Sequence, residues 1–202
     1  MIMESETVVL ASSSETRRNI LEKAGVVIEV IPPRIDEEEI KRAMIAEKAG
    51  GAEIAKVLAE QKACSVSRQQ PQNLVIGADQ VLEMDGLIFS KPQNSASARE
   101  GLAVLRGREH RLHSCVCVSR DGQRLWEKLD SAKLTMRGFS DEFLEAYLHS
   151  IGDLAFTGPG SYRIEDVGSQ LFSGISGDYF TILGLPLLPL LAFLRVHGAL
   201  QS

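Results

Sequence analysis

The sequence predicts an α/β protein built on a mixed sheet. Strand-like apolar runs alternate with segments of helical period, a pattern typical of parallel strands joined by helices. Other strand-like runs are joined by the short turns Met84-Asp85-Gly86 and Asp121-Gly122, which are typical of antiparallel hairpins. Of the 202 residues, 44% are hydrophobic and 24% are charged, which is sufficient for a sizeable core. We therefore expect one domain over residues 1–202.

The first half of the chain alternates strands with helices. Gly25 and the pair Gly50-Gly51 supply the breaks that end helical segments. The longest helix repeats an apolar face that includes Ile54 and Leu58 with a period of 3.6 residues. The predicted elements are a strand from residue 8, a helix over 15–24, a strand over 26–31, helices over 40–48 and 52–67, and a buried strand over 73–82.

The rest of the chain contains the two hairpin turns and ends in an apolar run. A glycine-rich segment over 158–177 leads into residues 182–194, which we expect to form a final strand and then a buried, proline-started helix. That run is shorter than the roughly 20 residues of a membrane-spanning helix, and it contains Pro186 and Pro189. The other predicted elements are a short strand over 87–89, a helix over 95–105, strands over 111–118 and 124–136, and a helix over 140–149.

The charge and the cysteines limit the class of protein. The formal net charge of −5 gives no general positive field for a nucleic-acid polymer, so a polyanionic ligand would need local cations or a metal ion. Cys64, Cys115 and Cys117 are odd in number, and the last two are neighbours on one face of a predicted strand. We expect reduced thiols in a cytoplasmic protein, because the N-terminus also lacks the pattern of a signal peptide.

A serine-rich turn follows the first strand. Unpaired backbone N–H groups at a helix N-terminus attract anions, so Ser12, Ser14 and Arg17 are candidates to hold a phosphate there. The structural alternative is that Ser14 is only the N-cap of the following helix.

Asp79 lies inside an otherwise apolar predicted strand. A buried carboxylate costs several kcal/mol unless it is paired, bound to a metal or open to a cleft, so Asp79 is a candidate catalytic residue or the partner of a core arginine. Glu37 belongs to the acidic run 36–39, which is typical of a solvated helix start and gains interest only beside a triphosphate and Mg²⁺.

Other side chains give weaker signals. Lys62, Lys91 and Arg108 lie near predicted turns or helix ends, where most such cations are ordinary surface residues. His110 and His113 would suit a serine hydrolase that used Ser12 or Ser14, but the G-x-S-x-G elbow is missing. The phosphate-binding motifs G-x-x-x-x-G-K-[ST] and G-x-G-x-x-G after the first strand are missing as well.

Taken in order, these motifs resemble the Maf family of nucleoside triphosphate pyrophosphatases. The S-x-S-x-x-R signature of that family matches Ser12, Ser14 and Arg17. The similarity covers nearly the whole chain, and a series of motifs is more specific than any one of them. The further matching segments are I-D-E at 35–37, L-A-E-Q-K-A at 58–63, I-G-A-D-Q-V at 76–81, S-K-P at 90–92, L-R-G-R-E-H at 105–110, G-S-Y-R-I-E at 160–165 and G-D-Y-F-T-I-L-G-L-P-L at 177–187.

The resemblance implies a fold of two lobes flanking a nucleotide-binding cleft, often as a homodimer, and an activity. The activity converts a nucleoside triphosphate into the nucleoside monophosphate and inorganic pyrophosphate, with Mg²⁺ or Mn²⁺ as cofactor. By the resemblance, Asp79 is the general base that activates water, and Glu37 supports the metal together with Asp79. The phosphates would be held by Ser12, Ser14, Arg17, Lys62 and Lys91.

Base specificity is implied at Thr16, Gln80 and Glu165. Gln80 and Glu165 resemble the branch of the family directed to 7-methyl-GTP, whereas Thr16 stands where that branch usually has tryptophan. We therefore expect a modified purine to be favoured over dTTP or UTP. An alternative is a regulator of cell division that binds nucleotide with little turnover.

Overall fold

The computed structural model describes residues 8–201. The residues before Val8, which bear on the expected lack of a signal peptide, lie outside this range. The described strands are β1 (Val8–Ala11), β2 (Ile28–Val30), β3 (Leu74–Met84), β4 (Leu87–Phe89), β5 (Glu109–Arg120), β6 (Gln123–Met136) and β7 (Phe172–Ser176). The described α-helices are α1 (Glu15–Lys23), α2 (Glu37–Ala46), α3 (Gly51–Ser67), α4 (Ser95–Leu105), α5 (Asp141–Ile151), α6 (Tyr179–Ile182) and α7 (Leu187–Val196).

The strands form a mixed sheet, which confirms the predicted fold class. Their order is β2-β1-β3-β5-β6-β7, and β4 pairs with β3. Strand β1 is parallel to both β2 and β3, with Val8 opposite Ile28 on one side and Leu74 on the other. The pairs β3–β4 and β6–β7 are antiparallel. Helices connect the parallel strands, and a tight turn through Asp85 and Gly86 connects β3 to β4, as the sequence predicts.

The chain divides into two compact units. Within the described range, unit 1 comprises residues 8–80, 113–131 and 178–201, and unit 2 comprises residues 81–112 and 132–177. Strands β3, β5 and β6 contribute residues to both units.

In unit 1, β1 is buried on both of its faces. Val8 and Leu10 belong to an apolar cluster that also contains residues of β3, α1 and α7, while Val9 and Ala11 pack with Val66 of α3. Burial on both faces explains why β1 reads as a continuous apolar run rather than as an alternating one.

Helix α3 packs closely against β3 at Gly77. A Cβ atom at this position would lie 2.3 Å from the backbone oxygen of Ala59 and 2.5 Å from the backbone nitrogen of Ala63. Only glycine permits this approach. It brings Lys62 of α3 beside Asp79, two residues further along β3.

Unit 2 contains an aromatic cluster next to the packed helices α4 and α5. The ring of Tyr162 meets Phe172 edge to face at 4.9 Å between centroids, and its hydroxyl lies 2.8 Å from Nε2 of His110. The hydroxyl of Tyr147 donates to the backbone oxygen of Ser161 at 3.2 Å. These contacts anchor the irregular segment around residues 160–165 to β5, β7 and α5 of its own unit.

The predicted final strand near residue 182 is wrong. The last described strand, β7, lies earlier, inside the glycine-rich segment, and residues 179–182 form the short helix α6. Asp178 starts that helix because its side chain accepts a hydrogen bond from the backbone N–H of Thr181 at 2.9 Å. The buried helix that begins after Pro186 is confirmed as α7. Within residues 8–201 no helix has the length and apolarity needed to cross a membrane.

Candidate active site

The serine turn of unit 1 connects β1 to α1. The Ser14 hydroxyl accepts a hydrogen bond from the backbone N–H of Arg17 at 3.3 Å, so Ser14 is the N-cap of α1. The buried hydroxyl of Ser12 accepts from the backbone N–H of Ser14 at 3.2 Å. The N-cap role expected of Ser14 is thus present in the structure, and the cap hydrogen bond leaves the Ser14 hydroxyl hydrogen available to a further acceptor.

Arg17 connects three parts of unit 1. Its Nε donates to the backbone oxygen of Gly184 at 2.9 Å, and its Nη1 donates to the backbone oxygen of Ala78 at 2.8 Å and to the Ser12 hydroxyl at 3.4 Å. Burial lowers the pKa of Arg17, and the negative charges of Asp79 and Glu37 act in the opposite direction. Arg17 is therefore a cation set among backbone oxygens, within the electrostatic range of two carboxylates.

Lys62 lies between Glu37 and Asp79. Its Nζ is 2.7 Å from Oδ1 of Asp79 and 2.7 Å from Oε2 of Glu37. The side chains of Lys62 and Asp79 are 6% and 10% exposed, whereas that of Glu37 is 46% exposed. Asp79 therefore has the ion-pair partner that its burial requires, and the partner is a lysine rather than the arginine considered from the sequence.

Three elements bring these side chains together. Glu37 is the first residue of α2, which Asp36 caps by accepting from the backbone N–H of Glu39 at 2.9 Å. Lys62 lies on α3, and Asp79 lies on β3 next to the backbone oxygen that Arg17 binds. The acidic run 36–39 thus starts a helix, as expected, and one of its members also faces a buried cation.

Gln80 is held by the segment that contains α6. Its Nε2 donates to the backbone oxygens of Ile182 at 2.9 Å and Thr181 at 3.2 Å, and to the Ser114 hydroxyl at 3.0 Å. The Ser114 hydroxyl donates in turn to the backbone oxygen of Thr181 at 2.7 Å. The Thr181 hydroxyl donates to Oδ2 of Asp130 at 2.9 Å. This polar network anchors α6 to β3, β5 and β6.

The other predicted site residues lie in unit 2. Lys91 is exposed and follows β4. Glu165 forms an ion pair with Arg163 at 3.1 Å, and Arg108 forms one with Asp85 at 2.7 Å. The structure therefore brings Ser12, Ser14, Arg17, Glu37, Lys62, Asp79 and Gln80 together in unit 1 with Thr16 on α1, and places Lys91 and Glu165 in unit 2.

Sequence reasoning missed the role of Thr181, Asp130 and Arg163. The residues that contact Gln80 and Thr181 are far apart in the chain, so no local spacing shows them. The partner of Glu165 is two positions away, but charged neighbours are too common in sequences to identify an ion pair.

The histidines do not form the arrangement that a serine hydrolase would need at the serine turn. Nε2 of His110 lies 2.8 Å from the Tyr162 hydroxyl, and Nδ1 of His113 lies 2.8 Å from the Ser131 hydroxyl. Burial lowers the pKa of His110 to about 4. Both rings are therefore engaged by residues other than Ser12 and Ser14.

The donor set near Lys62 suits a hard divalent cation whose remaining ligands come from elsewhere. Among residues 8–201 no group of three or more His, Cys, Asp or Glu side chains is arranged to hold a metal ion. Glu37 and Asp79 offer two neighbouring carboxylates, each with one oxygen bound to Lys62 and a second oxygen besides. Two carboxylates completed by phosphate oxygens and waters are a common environment for Mg²⁺.

Comparison with known protein families identifies a match over most of the chain. A family model described as "Maf-like protein" matches residues 7–197. The chain belongs to the Maf family. The resemblance drawn from the motifs is thereby confirmed.

Relatives of this Maf protein are numerous. Proteins named nucleoside triphosphate pyrophosphatase from Paramagnetospirillum magneticum and Caulobacter vibrioides are 49% and 48% identical to it. The first alignment covers 95% of this chain and 98% of the relative, and the second covers 98% and 99%. The Rhodospirillum rubrum protein of the same name is 50% identical, with 96% of each chain covered. Among solved structures, the Staphylococcus aureus Ham1 protein matches 95% of this chain and 100% of its own, with a TM-score of 0.45 and 16% identity.

Proposed function

We propose that this Maf protein is a nucleoside triphosphate pyrophosphatase, which hydrolyses its substrate to the nucleoside monophosphate and inorganic pyrophosphate. Relatives about 48% identical over nearly their full length carry that name. The observation that supports the chemistry is the cluster in which Lys62 contacts both Asp79 and Glu37 at 2.7 Å, with the partly buried Arg17 nearby. Hydrolysis of this kind depends mainly on positioning and charge stabilisation, for which a fixed set of opposite charges is suited.

In this proposal Asp79 is the general base. Its Oδ1 accepts a hydrogen bond from Lys62, which fixes the carboxylate in one orientation. The proton of the attacking water then passes to the Asp79 carboxylate, and the water oxygen bonds to the phosphorus whose bond to the diphosphate breaks.

The phosphates are held by the serine turn and its neighbouring cations. Ser12, Ser14 and the start of α1 supply hydroxyl and N–H donors, and Arg17 and Lys62 supply positive charge from within unit 1. Lys91 is proposed as a further phosphate ligand. These focused cations give an acidic protein the local positive charge that a triphosphate requires.

The proposed cofactor is Mg²⁺ or Mn²⁺, held by Glu37 and Asp79. When bound, the ion would neutralise phosphate charge and help to activate water. The exposed position of Glu37 suits a ligand that meets the metal together with the substrate.

The proposed substrate is a modified purine nucleotide, with 7-methyl-GTP favoured over dTTP and UTP. Glu165 presents a carboxylate that accepts hydrogen bonds from the donor groups on the Watson–Crick edge of guanine. Thr16 and Gln80 are the other proposed specificity residues. Because Nε2 of Gln80 is already committed to Ser114 and to the backbone of α6, its Oε1 is the atom that suits a base.

A nucleotide panel tests this proposal. Purified protein is incubated with Mg²⁺ or Mn²⁺ and with 7-methyl-GTP, GTP, dTTP or UTP, and the products are resolved by chromatography. We expect 7-methyl-GTP to yield the nucleoside monophosphate and inorganic pyrophosphate, with the highest kcat/KM of the four nucleotides. Orthophosphate as the sole product, or binding by calorimetry with no turnover, would exclude the proposed activity and favour a nucleotide-binding regulator.

The same assay tests the role of Asp79. Asp79→Asn keeps the shape of the side chain but removes the base, so we expect kcat to fall by about two to four orders of magnitude. The matched control is Glu60→Gln, which removes a carboxylate of α3 that pairs with Arg124 away from the serine turn. It should leave kcat unchanged, and a fully active Asp79→Asn would remove Asp79 from the mechanism.

A further inference from the structure

The position of Lys62 differs from that of an ordinary phosphate-binding lysine. Its ammonium group is buried with Asp79 and lies at the same distance, 2.7 Å, from one oxygen of each carboxylate. The carboxylates come from the start of α2 and the middle of β3, and the ammonium comes from α3. The Lys62 ammonium on α3 thus forms ion pairs with both of the residues proposed as metal ligands, one on α2 and one on β3.

Lys62 is also the direct counter-ion of both carboxylates. Arg17 acts on Asp79 and Glu37 electrostatically, but its Nε and Nη1 donate hydrogen bonds to Gly184, Ala78 and Ser12. Without Lys62, the buried Asp79 would lose the ammonium group with which it forms an ion pair, which is strongly unfavourable in a buried site.

We propose that Lys62 is a built-in counter-ion that competes with the divalent cation for Glu37 and Asp79. This inference rests on the proposed role of these two carboxylates as metal ligands. An ammonium group and a divalent cation seek the same carboxylate oxygens and repel each other at short range. Even a metal ion that binds the second oxygen of each carboxylate is repelled by the adjacent Lys62 ammonium, which weakens the affinity of the free protein for metal.

A triphosphate relieves this competition. The triphosphate carries about four negative charges, and the Lys62 ammonium can turn towards them. The two carboxylates then become available to the metal when the substrate is present. Lys62 thereby couples metal binding to nucleotide binding, because each ligand favours the same arrangement of the lysine.

The test measures binding of Mn²⁺ alone, without nucleotide, by electron paramagnetic resonance of the free ion. We expect Lys62→Gln to bind Mn²⁺ on the order of tenfold more tightly than the original protein, since the competing charge is gone. Lys62→Arg keeps the charge and should retain weak binding. The matched control is Lys56→Gln, which removes another ion-paired lysine of α3, 2.9 Å from Glu127, and should leave Mn²⁺ affinity unchanged.

Thermal unfolding provides a second readout. Because Lys62→Gln leaves two carboxylates without their counter-ion, Mn²⁺ should raise its melting temperature more than that of the original protein. If the variant unfolds without metal, its refolding is titrated with Mn²⁺, and recovery of the native circular dichroism spectrum supports the proposal. Failure to recover, or a folded Lys62→Gln that binds Mn²⁺ equally or more weakly, overturns it.

These outcomes are separable from failure of the proposed function. The Mn²⁺ titrations contain no nucleotide and need no turnover. An original protein that hydrolyses no nucleotide would exclude the pyrophosphatase, while the comparison of Lys62→Gln with Lys62→Arg would still decide whether Lys62 competes with the metal.

Discussion

Arg17 supports the fold of unit 1 with the same guanidinium that is proposed to face the substrate. Its Nε and Nη1 donate three hydrogen bonds, and the acceptors lie in the serine turn after β1, on β3 and in the turn after α6. A planar guanidinium reaches acceptors in several directions at once, whereas an ammonium is a compact point charge. Arginine at this position is thus required by geometry as well as by charge.

Arg17→Lys should therefore destabilise the protein although the charge is kept. The lysine cannot replace the bonds to both Gly184 and Ala78, and each bond from a charged donor is worth about 1.5–3 kcal/mol. We expect the free energy of unfolding in urea to fall by about 2 kcal/mol or more. Arg18→Lys is the matched control, because Arg18 forms an exposed ion pair with Glu22 at 3.3 Å. Its effect should stay within about 0.5 kcal/mol, and equal effects of the two variants would contradict this account.

For single residues, the sequence shows which polar side chains interrupt apolar segments, but it does not show which residues they contact. Asp79 stands out because a carboxylate interrupts an apolar run, and the structure buries it as expected. Its partner, Lys62, is 17 positions earlier on another element, so only the packing of α3 against β3 identifies it. The same holds for Gln80, whose acceptors lie more than 30 positions further along the chain.

The packing of α3 against β3 depends on Gly77. The backbone of Ala59 and Ala63 occupies the space that a side chain at residue 77 would need, and backbone atoms cannot move away without shifting the helix. Because Lys62 lies between these two alanines, the contact at Gly77 also sets the position of the Lys62 ammonium relative to Asp79.

Gly77→Ala should displace α3 and weaken the proposed site. We expect a loss of several kcal/mol in the free energy of unfolding, as is usual for overpacking against rigid neighbours, and a fall in kcat. Gly101→Ala is the matched control, because a Cβ atom there meets nothing within 4 Å and alanine favours the helical conformation of α4. Unfolding followed by circular dichroism should show a lower melting temperature for the first variant and an equal or higher one for the second. A Gly77→Ala protein as stable as the original would contradict the close approach.

The short helix α6 marks the limit of local prediction among the elements. The run Tyr179 to Ile182 contains aromatic and β-branched residues, which favour a strand by themselves. The N-cap at Asp178 and the donors of Gln80 and Ser114 instead hold it as a single helical turn. Tertiary contacts thus override a local preference that is weak over four residues.

For the molecule as a whole, the mixed sheet follows from the order of strand-like and helical segments. The hairpin turns and the helical connections are visible in the sequence, and together they indicate a sheet with both antiparallel and parallel pairs. The sequence does not show that Lys91 and Glu165 belong to unit 2. That assignment depends on where the division between the units cuts β3, β5 and β6.

The buried histidine of unit 2 makes the stability of the protein depend on pH. His110 is 1% exposed, and burial lowers its pKa to about 4, with the charge of Glu109 offsetting this only in part. The unfolded chain binds a proton near the ordinary pKa of 6.5, whereas the folded protein does not until pH 4 is approached. The stabilisation is therefore complete above pH 6.5 and is lost as the pH falls from 6.5 to 4. The shift corresponds to roughly 3 kcal/mol, or about 1.4 kcal/mol per pH unit.

Replacing His110 should flatten this dependence. His110→Gln retains a polar group for the Tyr162 hydroxyl but does not titrate, so we expect its free energy of unfolding to change less between pH 4 and 6.5 than that of the original protein. His149→Gln is the matched control, because His149 is an exposed histidine at the end of α5 and should leave the slope unchanged. The slope is measured by urea unfolding at a series of pH values. Carboxylates of lowered pKa, such as Asp141, lose stabilisation at lower pH and are present in all three proteins. An unchanged slope in His110→Gln would show that the ring is protonated in the folded state or exposed to water.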